Sequence, residues 1–245
     1  MTIPPYTVKV SAKAKHARLK ISMKGGLTVI VPNNFDQSRI PGILYGKRDW
    51  VRKIENRINE QRKFLYSQPT GVLPERITLR VIGEEWATEY RNTAAETVSA
   101  VERGSNRLLV FGDTVNVKAC KDAIRRWLGR KTHEHIVPWL VRLAKEREVS
   151  LSDVIVKSQR TRWASCSSHK RISLNLRLLC LPEELVRYVL FHELAHCRFM
   201  NHSQEFWAEV RGFEPNFEAL DTELRRAWRL IPAWLGAAPL RDSTI

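Results

Sequence analysis

Several features that narrow the class of a protein are scarce in this chain of 245 residues. The four cysteines, Cys120, Cys166, Cys180 and Cys197, form no CxxC pair. This excludes a disulfide framework and a cysteine zinc finger, and predicts reduced thiols. No stretch approaches the ~20 apolar residues that cross a bilayer, so no membrane partner is expected. The first residues lack the apolar run of a secretory signal, which predicts a cytoplasmic protein.

Acidic residues are missing from particular parts of the chain. Residues 154–181 hold six Lys or Arg and no Asp or Glu. Residues 1–65 carry 14 basic against 4 acidic side chains, a net charge of +10, whereas residues 182–245 carry 7 against 10. Because a basic face attracts polyanions, the surface of the N-terminal half is a candidate for binding nucleic acid. A well-solvated basic surface explains the same charges, so both interpretations stay open.

The spacing of apolar residues predicts a mixed α+β chain with two kinds of segment. Strand-like runs fill residues 6–31, where Gly25 and Gly26 predict a hairpin turn, and four short runs between residues 77 and 112 predict an antiparallel sheet. Helical spacing covers residues 38–66 and 120–148, with Pro138 as a site where the second helix kinks or restarts. Residues 67–75 are the best candidate linker.

Residues 171–179 alternate between apolar and polar side chains, which predicts a half-buried strand. This strand either pairs with an extended peptide or lies inside a sheet without a free edge. Pro182 then stands where a helix takes its first residue, with two glutamates in the first turn. The segment LVRYVLFHELAHCRF is apolar on nearly all sides, which predicts a buried helix.

That helix carries the motif His192-Glu193-Leu194-Ala195-His196. Histidines four residues apart lie on the same helical face, close enough to share one cation. Glu193 is rotated by about 100° from His192 and is placed to reach a water molecule held by the metal. This spacing is typical of two zinc ligands and a general base.

A catalytic zinc site usually takes three protein ligands and a water. His202 is the nearest third donor, and it can approach the other two only if the chain turns after the helix. Asn201 suits such a turn because Asn tolerates the left-handed conformation, and Ser203 can cap a following helix. A downstream carboxylate, Glu214 or Glu218, is the alternative third ligand.

The segments TRWASCSS (161–168), ISLN (172–175), HELAH (192–196) and NHSQEFW (201–207) together resemble the signature of the YgjP-like metallopeptidase family. That family is similar to the WLM and SprT-like proteases. The resemblance covers about residues 10–230 and implies zinc ligands His192, His196 and His202, with Glu193 as base. Phe199 stands where the metzincins have glycine, and no Met-turn is evident, so the chain is not assigned to that clan.

With this resemblance, the predicted fold class is α+β: a zincin-like metallopeptidase core with an active-site HExxH helix, plus a basic N-terminal β-hairpin and helix and a small antiparallel sheet. Residues 1–118 are predicted to form a basic β-rich region and residues 119–245 the zincin-like catalytic region. The alternative is one continuous family domain over residues 10–230.

The predicted function is hydrolysis of peptide bonds by a Zn²⁺-activated water with Glu193 as general base. The related proteases act on proteins crosslinked to DNA, which suggests nucleic-acid-associated substrates by analogy alone. Two rivals remain: a nucleic-acid-binding protein with a structural zinc site, and a metal hydrolase of a non-peptide bond. A fourth protein ligand would favour the first rival.

Other side chains are weaker candidates for a place in the site. Three could contact substrate or stabilise an oxyanion: Arg162, Asn175 and Tyr188. Arg162 could instead anchor a turn, and a core role is favoured for Tyr188. Four could support the ligands through hydrogen bonds: Asn201, Ser203, Glu205 and Glu209. Structural packing is expected for Cys197, a nucleophile role is disfavoured for Cys166, and His133 and His135 are not expected to form a second metal site.

Overall fold

The computed structural model describes residues 5–22, 26–66, 72–159, 162–236 and 243–244. These residues divide into two units, one containing the described residues up to 66 with 243–244, and the other containing residues 72–236. The short strands between residues 76 and 112 belong to the second unit, although the predicted basic region 1–118 includes them. The division of the chain into a basic β-rich region, 1–118, and a catalytic region, 119–245, remains a prediction.

The first unit is built on a four-stranded sheet in the order β1-β3-β2-β11. Its strands are β1 (Tyr6–Val10), β2 (Arg18–Ser22), β3 (Gly26–Val31) and β11 (Ser243–Thr244). The predicted hairpin is confirmed, since β2 pairs antiparallel with β3 up to the Ser22–Gly26 pair. Gly25 of its predicted turn lies outside the described residues, as does most of the predicted linker. β1 runs parallel to β3.

Two helices, α1 (Ile40–Gly46) and α2 (Arg48–Tyr66), follow where the sequence predicts one. They are separated at Lys47, whose φ of −110° departs from helical values. Ile40, Leu44, Val51 and Ile54 come from the predicted apolar face. They pack on the buried residues of β2 and β3, so the unit has a small hydrophobic core of its own.

The second unit begins with a four-stranded sheet in the order β4-β5-β7-β6. The strands are β4 (Arg76–Leu79), β5 (Glu84–Asn92), β6 (Ser99–Arg103) and β7 (Arg107–Gly112). All four strands are where the sequence predicts them, but the sheet is not wholly antiparallel. β4–β5 and β6–β7 are two hairpins, and their second strands β5 and β7 pair side by side in parallel.

Helix α3 (Val117–Glu146) passes through Pro138 without ending, so the predicted restart does not occur. Proline removes one backbone hydrogen bond from a helix interior. Ile136 and Leu140, on either side of Pro138, are fully buried in the same hydrophobic core as residues from both sheets of this unit and from the later helices. This continuous packing offsets the lost hydrogen bond.

A second sheet in this unit has the order β8-β10-β9. Its strands are β8 (Asp153–Lys157), β9 (Ala164–Cys166) and β10 (Arg171–Asn175). β10 pairs in parallel with β8 and antiparallel with β9. The strand predicted over residues 171–179 is therefore an inner strand, and its backbone cannot accept a peptide along a free edge.

The same segment is also more buried than its alternating pattern predicts. The strand ends at Asn175, and Leu176–Cys180 form a 3₁₀ turn. Ser173, Asn175 and Arg177, predicted to face solvent, are 7%, 1% and 4% exposed. The prediction of a half-buried strand fails because these polar residues are buried, and the side chains of Asn175 and Arg177 are hydrogen-bonded to backbone carbonyls.

Helix α4 (Glu183–His196) carries the HExxH motif and is largely buried, as predicted. It ends at His196, three residues earlier than the sequence pattern indicates, and Pro182 is its N-cap residue. Two shorter helices follow, α5 (Gln204–Phe213) and α6 (Phe217–Leu224). In the described part of the chain, no helix combines the length and apolar character that crossing a membrane requires.

Arg177 ties three parts of the second unit together. Its guanidinium donates to the carbonyl oxygens of Gln159 at 2.6 Å, Leu235 at 2.9 Å and Gly236 at 3.2 Å. Asn175 also donates to the Gln159 carbonyl, at 2.8 Å, and to that of Arg162, at 2.6 Å. These hydrogen bonds hold the backbone that leads into β9.

We expect Arg177→Met to lower the free energy of unfolding by about 3 kcal/mol, because three backbone carbonyls lose a charged donor. Urea unfolding followed by tryptophan fluorescence measures the change. Arg171→Met is the matched control, since Arg171 forms an exposed ion pair with Asp153 at 3.1 Å that contributes less than about 1 kcal/mol. Equal losses in the two variants would contradict the anchoring role of Arg177.

Candidate metal centre

Three histidines from two parts of the chain come together at the end of α4. The Nε2 atoms of His192 and His202 are 3.3 Å apart. The ring centroids lie 4.9 Å apart for His192–His196 and 4.8 Å apart for His196–His202. One nitrogen from each ring lies within 4.8 Å of the other two, a spacing that could hold a metal ion.

A tight turn after α4 directs His202 back toward the helix. The amides of Cys197, Arg198 and Phe199 donate to carbonyls of the last helical turn. Ser203 then caps α5, as predicted, by accepting a hydrogen bond from the Phe206 amide at 3.5 Å. Asn201 is not among the described residues with positive φ, so the expectation of a left-handed residue there is wrong.

A carbonyl in this turn fixes the orientation of the second imidazole. His196 Nδ1 lies 3.0 Å from the Phe199 carbonyl oxygen, so Nδ1–H donates to it. The other ring nitrogen, Nε2, then carries the lone pair that a metal would take. Burial lowers the pKa of His196, which outweighs the opposing effect of the hydrogen bond to Phe199. The neutral, ligand-competent form of the ring is favoured.

The imidazoles lie on two aromatic side chains of α5. Phe206 is fully buried, with its ring centroid 5.0, 4.5 and 4.7 Å from those of His192, His196 and His202. Trp207 stacks on His202 at 5.5 Å and on Phe217 at 5.4 Å. These contacts position His202, whose own exposure would otherwise leave its ring mobile.

The sequence-based expectations do not include these aromatic contacts. The available signal is the position of Phe206 and Trp207 in the first turn after the Ser203 cap, four and five residues after His202. Glu193 follows His192 on α4, and its side chain is buried, with the residue 7% exposed. A buried carboxylate thus lies on the same helix as two of the histidines.

The alternative third ligands have other partners. Glu214 pairs with Arg187 at 2.8 Å, and Glu218 pairs with Arg211 at 3.2 Å. Neither joins the histidine group, which is the one cluster of three or more His, Cys, Asp or Glu ligand atoms among the described residues. His133 and His135 are not part of this cluster.

The weaker candidates differ in their contacts and exposure. Tyr188 is 1% exposed and donates its hydroxyl to Asp221 at 3.2 Å, while its ring meets His192 edge-on at 6.0 Å. The side-chain amide of Asn175 donates a hydrogen bond to the backbone carbonyl of Arg162. The side chain of Arg162 is exposed. Tyr188 and Asn175 therefore make structural contacts, and Arg162 retains an accessible guanidinium.

The residues expected to support the ligands through hydrogen bonds have different partners. The Ser203 hydroxyl lowers the pKa of the exposed Glu205 carboxyl, so both side chains act at the start of α5. Glu209 forms an ion pair with Arg198.

The Sγ atoms of Cys166 and Cys197 lie 3.6 Å apart, and their hydrogen bond lowers the pKa of the Cys197 thiol and raises that of Cys166.

A comparison with known protein families gives the class to which this chain belongs. The chain belongs to the YgjP-like metallopeptidase domain family, whose model matches residues 15–227. The match includes strands of the basic first unit as well as the histidine centre. The resemblance noted in the sequence is thereby confirmed.

One solved structure that the chain resembles is the zymogen of jannalysin, a metallopeptidase from Methanocaldococcus jannaschii. The two chains are 22% identical, and the superposition covers 36% of this chain and 90% of jannalysin with a TM-score of 0.32. No curated protein matches the chain.

We expect Trp207→Ala to weaken zinc binding about tenfold, because His202 loses the ring on which it stacks. Trp207→Phe retains an aromatic face and should keep most of the affinity. Competition with a zinc-binding dye measures the dissociation constants, and circular dichroism verifies folding. Wild-type affinity in the alanine variant would show that the stacking does not position His202.

Proposed function

We propose that this protein is a zinc-dependent metallopeptidase of the HExxH type with a zincin-like core. His192, His196 and His202 would hold the metal, and Glu193 would serve as general base. The observation that carries this proposal is the convergence of three imidazole nitrogens within 4.8 Å at the end of α4. Membership of a metallopeptidase family supports the same conclusion.

The chemistry of the donor set fits zinc. Imidazole nitrogens suit a borderline ion such as Zn²⁺, and three histidines with one open position are typical of catalytic zinc. The Nδ1–H of His196 donates to the Phe199 carbonyl, which leaves Nε2 of the same ring available to the ion. When bound, zinc would polarise the scissile carbonyl and lower the pKa of a coordinated water toward ~7.

The residues of the chain would carry the proton and hold the geometry. Glu193 would accept a proton from the attacking water and then donate it to the leaving amine. Its buried position limits competing solvent, which strengthens electrostatic interactions at the reacting atoms. The Phe199 carbonyl and the ring of Trp207 would keep two of the imidazoles in place during turnover.

An extended peptide would align along β9 and not along β10. β9 is an edge strand of its sheet, paired only with β10 among the described residues. The contact between Cys166 of β9 and Cys197, the residue after His196, puts this edge beside the histidine centre. Backbone pairing with an edge strand is a general way to bind extended peptides. The exposed Arg162 guanidinium, two residues before β9, is the proposed contact for the substrate carbonyl or its oxyanion.

The rival proposals have less support. A structural zinc site is usually closed by four protein ligands. The described residues bring three metal-binding side chains together at this centre, which supports an open coordination position. Hydrolysis of a non-peptide bond is tested by offering matched amide and ester substrates. Preferential cleavage of the amide is expected.

Glu193→Gln should keep bound zinc at the wild-type level and reduce peptidase activity by about 10²–10⁴-fold, because the amide cannot accept a proton. Metal content and cleavage of a labelled unfolded protein are measured on the same samples. Glu184→Gln, an exposed position in the first turn of the same helix, is the matched control and should retain activity. Cleavage that survives in Glu193→Gln would eliminate Glu193 as the base.

A second proposal concerns the first unit, which we infer binds nucleic acid. Its described part exposes nine basic side chains: Lys9, Lys13, Lys15, Arg18, Arg39, Lys47, Arg48, Arg52 and Lys53. Exposed acidic residues there are few, and one of them, Asp49, pairs with Arg52 at 3.2 Å. Arg48 lies over the exposed ring of Tyr45 at 4.6 Å. Adjacent basic and aromatic groups suit contacts with phosphates and bases.

Neutralising Arg48, Arg52 and Lys53 together with Gln should reduce the salt dependence of DNA binding. Each lost phosphate contact lowers the slope of log affinity against log salt by about one. Fluorescence anisotropy with a short labelled DNA measures that slope on the full chain. The matched control replaces three exposed basic residues of the second unit, Arg76, Arg107 and Lys118, by Gln. If the control lowers the slope equally, total charge and not the first unit explains the binding.

A further inference from the structure

Two cysteines from distant parts of the chain meet beside the histidine centre. Cys166 ends β9, and Cys197 is the first residue after α4. Their Sγ atoms are 3.6 Å apart. Cys166 also contacts the Ser167 carbonyl at 3.4 Å, and Cys197 contacts the Glu193 carbonyl at 3.6 Å. The proposed hydrolysis uses neither thiol.

We propose that Cys166 and Cys197 form a dithiol site that peroxides oxidise to an intramolecular disulfide, and that this bond lowers the activity of the metal centre. A disulfide requires an S–S distance of about 2.05 Å, so the two sulfur atoms must approach by about 1.5 Å. Side-chain rotation with a small backbone shift at the short strand β9 or in the turn after α4 can supply this movement.

The oxidation balances with a hydroperoxide as the oxidant. Cys166 is partly exposed and Cys197 is 7% exposed, so access of the peroxide selects Cys166 as the first sulfur to react, although its pKa is the higher of the two. The Cys166 sulfur attacks the peroxide oxygen and becomes a sulfenic acid, releasing an alcohol, or water when the oxidant is hydrogen peroxide. The Cys197 sulfur then attacks the sulfenic sulfur, which forms the S–S bond and releases water.

The consequence for the metal centre follows from the position of Cys197. It directly follows His196, and its turn contains Phe199, whose carbonyl orients the His196 ring. A bond that pulls Cys197 toward β9 displaces this turn. Loss of an orienting contact to a histidine ligand typically reduces metal affinity or activity by about tenfold or more. The effect on catalysis rests on the proposed function, but formation of the bond does not.

The other two cysteines provide an internal comparison. Cys120 is fully buried and contacts the Thr114 carbonyl at 3.6 Å. Cys180 is 3% exposed. Because burial restricts access of the oxidant, both thiols should remain reduced under conditions that oxidise Cys166.

The test treats the folded, zinc-loaded full chain with hydrogen peroxide, blocks remaining thiols and maps tryptic peptides without reductant. Cleavage after Lys and Arg places Cys166 in residues 163–170 and Cys197 in residues 188–198. We expect these two peptides to be linked, with the loss of two hydrogen atoms. Cys166→Ser and Cys197→Ser should each abolish the link, and Cys120→Ala should retain it.

Peptidase activity and zinc affinity are measured before and after peroxide, and again after dithiothreitol. We expect both to fall about tenfold in the wild type and to recover with the reductant, whereas each serine variant keeps its own untreated value. Sulfenic or sulfinic acid at Cys166 without the linked peptides would overturn the dithiol site. Linked peptides with unchanged activity and zinc affinity would overturn its regulatory effect. If the reduced protein cleaves no peptide, the proposed function fails, while linked peptides with weakened zinc binding still support the site.

Discussion

The turn between α4 and α5 is the constraint on which the metal centre depends. Two histidines one helical turn apart offer only one side of a coordination shell, and a straight continuation of the helix would carry His202 away from them. The helix instead ends at His196, and Ser203 starts a new one after six intervening residues. The same turn supplies the Phe199 carbonyl, so one piece of backbone both delivers the third imidazole and orients the second.

The donor set of this centre suits a metal ion. One nitrogen from each of the three imidazoles lies within 4.8 Å of the other two, and α4 also carries the buried side chain of Glu193. Under the proposed function, a single divalent cation would take a lone pair from each imidazole. The rings of Phe206 and Trp207 support this interpretation, because they hold the imidazoles in place without competing for the imidazole nitrogens.

The features that sequence predicts well are those set by local chemistry. The buried helix α4, the Ser203 cap and the return of His202 all follow from spacing and capping within residues 183–203. The misinterpreted features depend on distant partners. Arg177 looked solvent-facing because the carbonyls that satisfy it, those of Leu235 and Gly236, lie almost sixty residues away. Likewise, the parallel pairing of β5 with β7 depends on how two separate hairpins meet, which no local pattern encodes.

Strand β9 links the parts of the second unit that bear on function. Asn175 and Arg177 hold the backbone entering it, β10 pairs with one of its edges, and Cys166 at its end contacts the residue after a histidine of the centre. A strand of three residues has little pairing of its own, so its position follows from these anchors. Movement of β9 would therefore reach the turn that orients His196, whether a bound peptide or an S–S bond caused it. The same contact that would align a substrate with the metal would let the thiol pair misalign it.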